Sequence, residues 1–361
     1  MANLRDRLKR IQESRKSDVQ QINTQSEEIP ALTQLGWVPC GYKVLKREVS
    51  VPSPFKSIKS LPFILPIIIP DLIGKELPKP EDFLFFDLET TGLSGGAGTV
   101  AFLAAFGRII DKTLLLTQYL LLDYPGENDF LENVLTEFKN EKSVIVSYNG
   151  KSFDSQILKT RCLMNRIKAP VYRHVDLLHP ARRLWKNIIF DCSQGSIETR
   201  ILGLDRTGDI PGVLAPEIWF EFLKTGKTER LLGICDHNKK DISGLTSIFY
   251  AMILIAANPF EEKYVYDIER LALYWRKYIR WTELPNDDLR IMGDKLLRLA
   301  AEKNHPRAVY VYGYDQMRSG NYKEALKFVN LGLKLFEEDT PEYDKLLRRK
   351  IRLEAKLFNN N

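Results

Sequence analysis

The sequence predicts an α/β protein, a mixed central sheet flanked by helices and followed by a smaller all-α domain. Three observations carry that prediction. Apolar runs of strand length crowd residues 83–147. Strand-like and helix-like patterns alternate from about residue 128, the mark of α/β layering. Beyond about residue 260 the pattern is helical throughout, with Leu and aromatic positions alternating with Arg, Lys and Glu. At 361 residues the chain also exceeds what one core uses, which fits more than one unit.

Residues 1–34 are polar, with Leu4, Leu8 and Ile11 at helical spacing, and read as a flexible helix. Residues 35–80 read as a lead-in that packs on the core. Gly36 to Val51 mixes β-branched residues and turn formers, as a hairpin or edge strand does, and KELPKPED (75–82) closes the segment as a linker. Within it the apolar run 61–73 is cut by Pro62, Pro66 and Pro70 and carries Asp71. It is too short and too broken to span a bilayer, and reads as buried extended structure.

The main domain, 81–258, opens with FLFFDLE (83–89), VAFLAAFGRI (100–109) and LLLTQYLLL (114–122), three strands of an antiparallel meander. The glycine-rich SGGAG (94–98) and a turn at Asp111–Lys112 separate them; SGGAG lacks the spacing of a phosphate loop. NDFLENVLTEFKN (128–140) repeats Phe130, Val134, Leu135 and Phe138 at helical spacing, and SVIVSYNG (143–150) is a short strand. The rest reads as mainly helical, ending in a long apolar helix over 241–258. In the last domain, 260–361, residues 305–336 form two helices joined at Ser319-Gly320-Asn321 and resemble one tetratricopeptide unit. Helices near 287–303 and 341–358 would complete the stack, because one repeat cannot bury its own face.

Lys and Arg exceed Asp and Glu by 53 − 47 = +6, a mild bias toward a polyanionic partner. Cys40, Cys162, Cys192 and Cys235 are scattered, which excludes a zinc ribbon or a dense disulfide framework. With a charged start that lacks a secretory apolar segment, the expectation is a cytoplasmic protein with no membrane partner.

Three acidic motifs carry the chemistry. In FFDLETTGL, Asp87 and Glu89 are two apart on a strand and share a face, while Phe86 and Leu88 point to the other. Like charges that close are unfavourable unless a cation neutralises them, and hard oxygen ligands suit Mg²⁺ or Mn²⁺. In NGKSFD, Asn149 and Asp154 lie at a helix start, where an acid alone is commonly a cap. In HNKKD, His237 and Asp241 are neighbours on one helical face, and alone read as a surface pair. Their joint occurrence, in this order, is the signal. Basic residues at 159–161, Arg173, 181–186 and Arg200 read equally as phosphate contacts or a solvated face.

DLETTGL, N-x-x-x-F-D and His-x-x-x-Asp together resemble the three motifs of the DEDD exonuclease superfamily. The His-to-Asp gap is one residue shorter than in that superfamily's histidine branch and matches its tyrosine branch. With ILGLDRTGDIPGVLAPEIWFEFLKTG (201–226), the chain is similar to the YprB-like predicted exonucleases over roughly residues 35–255. The resemblance implies a ribonuclease H-like core, for which the order β-β-β-α-β-α is also the expected one. It implies a 3′-to-5′ exonuclease acting on DNA or RNA with a single-stranded 3′ end. Asp87, Glu89, Asp154 and Asp241 would hold two divalent cations, Mg²⁺ or Mn²⁺, roughly 4 Å apart. His237 would deprotonate the attacking water, with its spacing as the departure from pattern. Thr90, Thr91, Gly92 and Leu93 would lie under the terminal nucleotide, and Asn149 would contact substrate or orient the Asp154 loop. The alternative is a non-catalytic module with a vestigial site, binding nucleic acid or docking a protein partner through the helical tail.

Overall fold

The computed structural model describes residues 30–55, 60–73, 76–92, 96, 98–110, 113–261, 263–282 and 287–359. The expectations for residues 1–29, Leu93, most of the SGGAG turn and the Asp111–Lys112 turn lie outside them. The chain forms two compact units. One comprises the described residues up to Phe63, Asp71–Leu178 and Ser193–Ile253; the other comprises Ile64–Pro70, His179–Cys192 and the residues from Leu254 onward.

The first unit is built on a mixed sheet of seven strands: β1 (Val38–Gly41), β2 (Val44–Pro52), β3 (Phe83–Thr90), β4 (Ala101–Ile110), β5 (Thr113–Leu121), β6 (Val144–Ser147) and β7 (Arg173–Asp176). Their order across the sheet is β1-β2-β5-β4-β3-β6-β7. The meander β3–β4–β5 pairs antiparallel, and β6 and β7 add parallel strands beside β3. The lead-in hairpin is part of this sheet, with β2 paired to β5 from Val44↔Leu121 to Pro52↔Thr113. Along the chain the α-helices are α1 (Pro30–Gln34), α2 (Leu65–Ile68), α3 (Glu127–Thr136), α4 (Asp154–Met164), α5 (Leu178–Trp185), α6 (Gln194–Arg200) and α7 (Ala215–Thr225). They continue with α8 (Glu229–Ala257), α9 (Ile268–Thr282), α10 (Asp287–Glu302), α11 (Pro306–Arg318), α12 (Tyr322–Leu335) and α13 (Pro341–Asn359).

Strand alternation decides which layer each β3 residue meets. Phe83 and Phe85 pack on Phe249 of α8, with ring centroids 4.7 and 5.9 Å away, so Asp87 and Glu89 face α8 too. Phe86 points the other way, stacked on Phe106 at 5.1 Å and edge-on to Phe138 at 5.5 Å. On that second face Trp219 of α7 stacks on Phe102 at 5.2 Å and donates its indole N–H to Leu121 O. By length and composition α8 could cross a membrane, yet Ile242, Leu245, Ile248, Phe249 and Met252 are buried in the fold. Each such side chain contributes about 1.5–3 kcal/mol of burial.

One expectation differs from the structure. The run 61–73 is buried but not extended: it forms α2 and a 3₁₀ turn at Pro70–Leu72. Pro66 sits in the first turn of α2, where a helix needs no proline N–H, so the prolines do not forbid it. The stretch after residue 150 is mainly helical, as its pattern predicts, and among the described residues β7 is the strand within it, ending at Asp176.

In the second unit consecutive helices from α9 to α13 pack each on the next. Trp275 of α9 donates to Leu289 O, and Tyr312 of α11 meets Phe328 of α12 edge-on at 4.8 Å. Segments α2 and α5 belong here as well. Arg183 donates to Ile68 O at 2.8 Å and lies 3.7 Å from the Tyr274 ring, and Trp185 donates to Val265 O.

Candidate active site

Asp87 and Glu89 from β3, Asp154 from the start of α4, and His237 and Asp241 from α8 line one cleft of about 230 Å³. Leu88, Thr90, Tyr148, Asn149, Phe153, Gly212 and Pro216 complete its walls. Two larger clefts, about 590 and 640 Å³, lie in the helical unit and mix Arg or Lys with acids, so size does not mark this site.

Three of the four carboxylates are placed by separate devices. Asn238, next to His237 on α8, donates to Asp87 Oδ2 at 2.7 Å. Asn238 is itself fixed from Gln118 of β5 at 3.0 Å, and Gln118 accepts from Arg47 at 2.7 Å, whose guanidinium rests over Trp37 at 4.8 Å. This buried relay ties the lead-in hairpin to Asp87. Asp154 is the first residue of α4; the cap position is Phe153, so the acid is not spent on capping. The loop before it is held by Asp176, whose carboxylate accepts the amides of Asn149 (2.8 Å), Lys151 (3.0 Å) and Leu178 (3.0 Å). A Cβ at Gly150 would meet Ser147 Oγ at 2.4 Å and Asp154 Oδ2 at 2.9 Å, so only glycine fits there.

On α8, Asp241 Oδ1 accepts from Arg206 at 2.6 Å. The same guanidinium binds Asp209 at 2.7 Å and the fully buried Glu198 at 2.5 Å. Asp209 in turn holds His237 Nδ1 at 2.9 Å, while His237 Nε2 stands 3.2 Å from Asp241 Oδ2. Ligand atoms of Glu89, His237 and Asp241 all lie within 4.8 Å of one another.

Residues 84–253 match the family model of the RNase H superfamily. They form a ribonuclease H-like domain. The protein YprB of Bacillus subtilis (strain 168) is 39% identical over 174 residues, which are 47% of this chain and 42% of that relative. This chain thus spans less than half of the relative's length. A family B DNA polymerase from the archaeon Pyrobaculum calidifontis shares 12% identity, covering 78% of this chain and 46% of that one with a TM-score of 0.38.

The cleft has an electrostatic signature. Burial, and then the neighbouring carboxylates, push Asp87 and Glu89 well above the ordinary carboxylate range. Burial and then Asp176 push Asp154 up to about 7. Glu89 is 8% exposed and has no hydrogen-bond or ion-pair partner among the described residues. Clustered buried acids of this kind resist ionising together unless a cation joins them, and a hard divalent cation would favour their ionised forms.

The expected substrate contacts divide. Thr90 and Asn149 line the cleft, and Asn149 takes a left-handed φ of 64°. Thr91 is spent on structure, its amide donating to Val100 O and its hydroxyl accepting from Val100 N. Gly92 lies against Thr99 and does not line the cleft. Of the basic residues, Arg161 pairs with buried Glu127 at 2.5 Å and Arg183 binds backbone carbonyls, so both are structural. Sequence reasoning assigned no role to Asn238, Gln118, Arg206 or Asp209. Arg206 and Asp209 carry a weak signal, charges three apart in an otherwise turn-like segment; Gln118 shows as a polar residue inside an apolar strand.

Proposed function

We propose that this chain is a divalent-metal-dependent nuclease that hydrolyses phosphodiester bonds of DNA or RNA from a 3′ end. The observation that carries the reading is the convergence of Asp87, Glu89, Asp154 and Asp241, from three separate elements, on one cleft in which Asp87, Glu89 and Asp154 have no cationic partner among the described residues. Membership of residues 84–253 in the RNase H superfamily supports a nucleic-acid hydrolase in general. Hard carboxylate oxygens fit Mg²⁺ or Mn²⁺, and the four acids would hold two such ions. When bound, the pair activates the attacking water and stabilises the leaving oxygen of the scissile phosphate. The chain positions the rest: Asn238 sets the rotamer of Asp87, Asp176 holds the loop before Asp154, and Arg206 anchors Asp241. Tyr148 and Phe153 offer rings in the cleft wall on which a terminal base can stack. The packed helices α9–α13 support a second proposed role, docking of a protein partner in the manner of a tetratricopeptide stack.

The test is cleavage of end-labelled single-stranded DNA and RNA with Mn²⁺, Mg²⁺ or chelator, beside the Asp87→Asn variant. The expected outcome is metal-dependent shortening from the 3′ end, abolished in a variant that still folds. Wild-type-like cleavage by Asp87→Asn sinks the site; binding without cleavage favours a non-catalytic module.

A further inference from the structure

We infer that His237 is a ligand of the bound cation, completing with Glu89 and Asp241 a mixed nitrogen–oxygen site that prefers Mn²⁺ to Mg²⁺, in place of the base that the resemblance implies. The inference rests on the reading of the cleft as a metal-dependent nuclease site. The imidazole is held from behind: Nδ1 stands 2.9 Å from Asp209 Oδ2, and Asp209 is itself paired with Arg206 at 2.7 Å and Lys240 at 3.2 Å. A carboxylate so paired only accepts, so Nδ1 donates to it and Nε2 is the nitrogen turned to the cleft. Histidines that bind metals are oriented in this way, by a carboxylate on the far nitrogen.

The front of the ring fits the same role. Nε2 faces Asp241 Oδ2 at 3.2 Å, and Glu89 joins the pair within 4.8 Å. Ligands at about 2.1 Å from a shared ion stand roughly 3 Å apart when adjacent and roughly 4 Å when opposite, so the triad is close to that size. Glu89 supplies the independent sign of a ligand, being buried, directed into the cleft and without a partner among the described residues. The space before Nε2 is kept open, since a Cβ at Gly212 would lie 2.9 Å from it. Oxygen alone suits Mg²⁺; one imidazole among carboxylates moves the preference toward a first-row transition ion.

Pulsed EPR of the full chain loaded with Mn²⁺ alone decides the point. The expected result is a ¹⁴N coupling of a directly bound imidazole that is lost in His237→Gln, with Asp209→Asn weakening Mn²⁺ binding by about 10–100-fold. Mn²⁺ bound without ¹⁴N coupling overturns the inference. The two proposals fail separately: nucleic acid cut without a nitrogen ligand removes this one and leaves the nuclease, and a nitrogen ligand without cleavage does the reverse. No Mn²⁺ binding at all overturns both.

Discussion

At the scale of single residues, the site depends on side chains that never touch a substrate. Asp176 binds three backbone amides at once, and each donor left buried without an acceptor costs about 1–3 kcal/mol. Asp176→Ala is therefore expected to lower stability by a few kcal/mol and to cut turnover, because the loop that positions Asp154 loosens. Chemical denaturation and single-turnover rates check this, and an unchanged rate would remove the loop from the mechanism. His174 lies beneath the same loop, bonded to Ser147 Oγ at 2.7 Å, and burial lowers its pKa to about 4 from an ordinary 6.5. Between pH 4 and 6.5 the unfolded chain binds this proton and the folded one does not, so the His174 contribution to stability rises with pH across that window and then levels, while the raised carboxyls of the cleft work in the opposite sense. The urea midpoint at pH 7.5 minus that at pH 5 should be more negative or less positive in His174→Gln than in the wild type. An equal difference would show that the ring is not buried in its neutral form.

At the scale of elements, β3 and α8 make the site and β5 connects it to the lead-in. Alternation on β3 delivers Asp87 and Glu89 to the face that α8 covers, and one turn of α8 supplies His237, Asn238 and Asp241. Gln118 on β5 is the joint: it donates to Asn238 and Cys235 O and accepts from Arg47, all within the core. Gln118→Leu leaves those groups unsatisfied and is expected to cost about 2–4 kcal/mol, more than a surface change and with loss of the Asp87 rotamer. Thermal denaturation together with Mn²⁺ titration checks it; a stable variant with normal metal affinity would show the relay to be dispensable. The face assignment and the helical context of His237 and Asp241 were legible in the sequence, because both follow from local periodicity. The relay was not, since Gln118 and Asn238 are 120 positions apart and only the packing of α8 on the sheet brings them together.

At the scale of the whole molecule, two segments of the first 192 residues belong to the helical unit. Ile67, Ile68, Leu184 and Trp185 are at most 1% exposed, and Trp185 and Arg183 bond or stack on Val265 and Tyr274. Removing residues 260–361 would expose these apolar groups, so the truncated chain is expected to aggregate or melt lower than the full one. Size-exclusion chromatography and calorimetry test this; a monomeric truncation with an unchanged melt would detach α2 and α5 from that unit. A cut at the end of α8 is thus not a clean domain boundary.

The sequence by itself determined the strand meander, the pairing of Asp87 with Glu89, the helical tail and the order of the acidic motifs. Those depend on residue spacings of two to four, which the local geometry of strands and helices converts directly into faces. Tertiary structure alone decided that β7 joins the sheet, that the proline-rich run turns helical, and that Asp176, Arg206, Asp209 and Asn238 hold the site. The physical reason is that a buried polar group is defined by its partner, and these partners are supplied by register and packing across long stretches of chain.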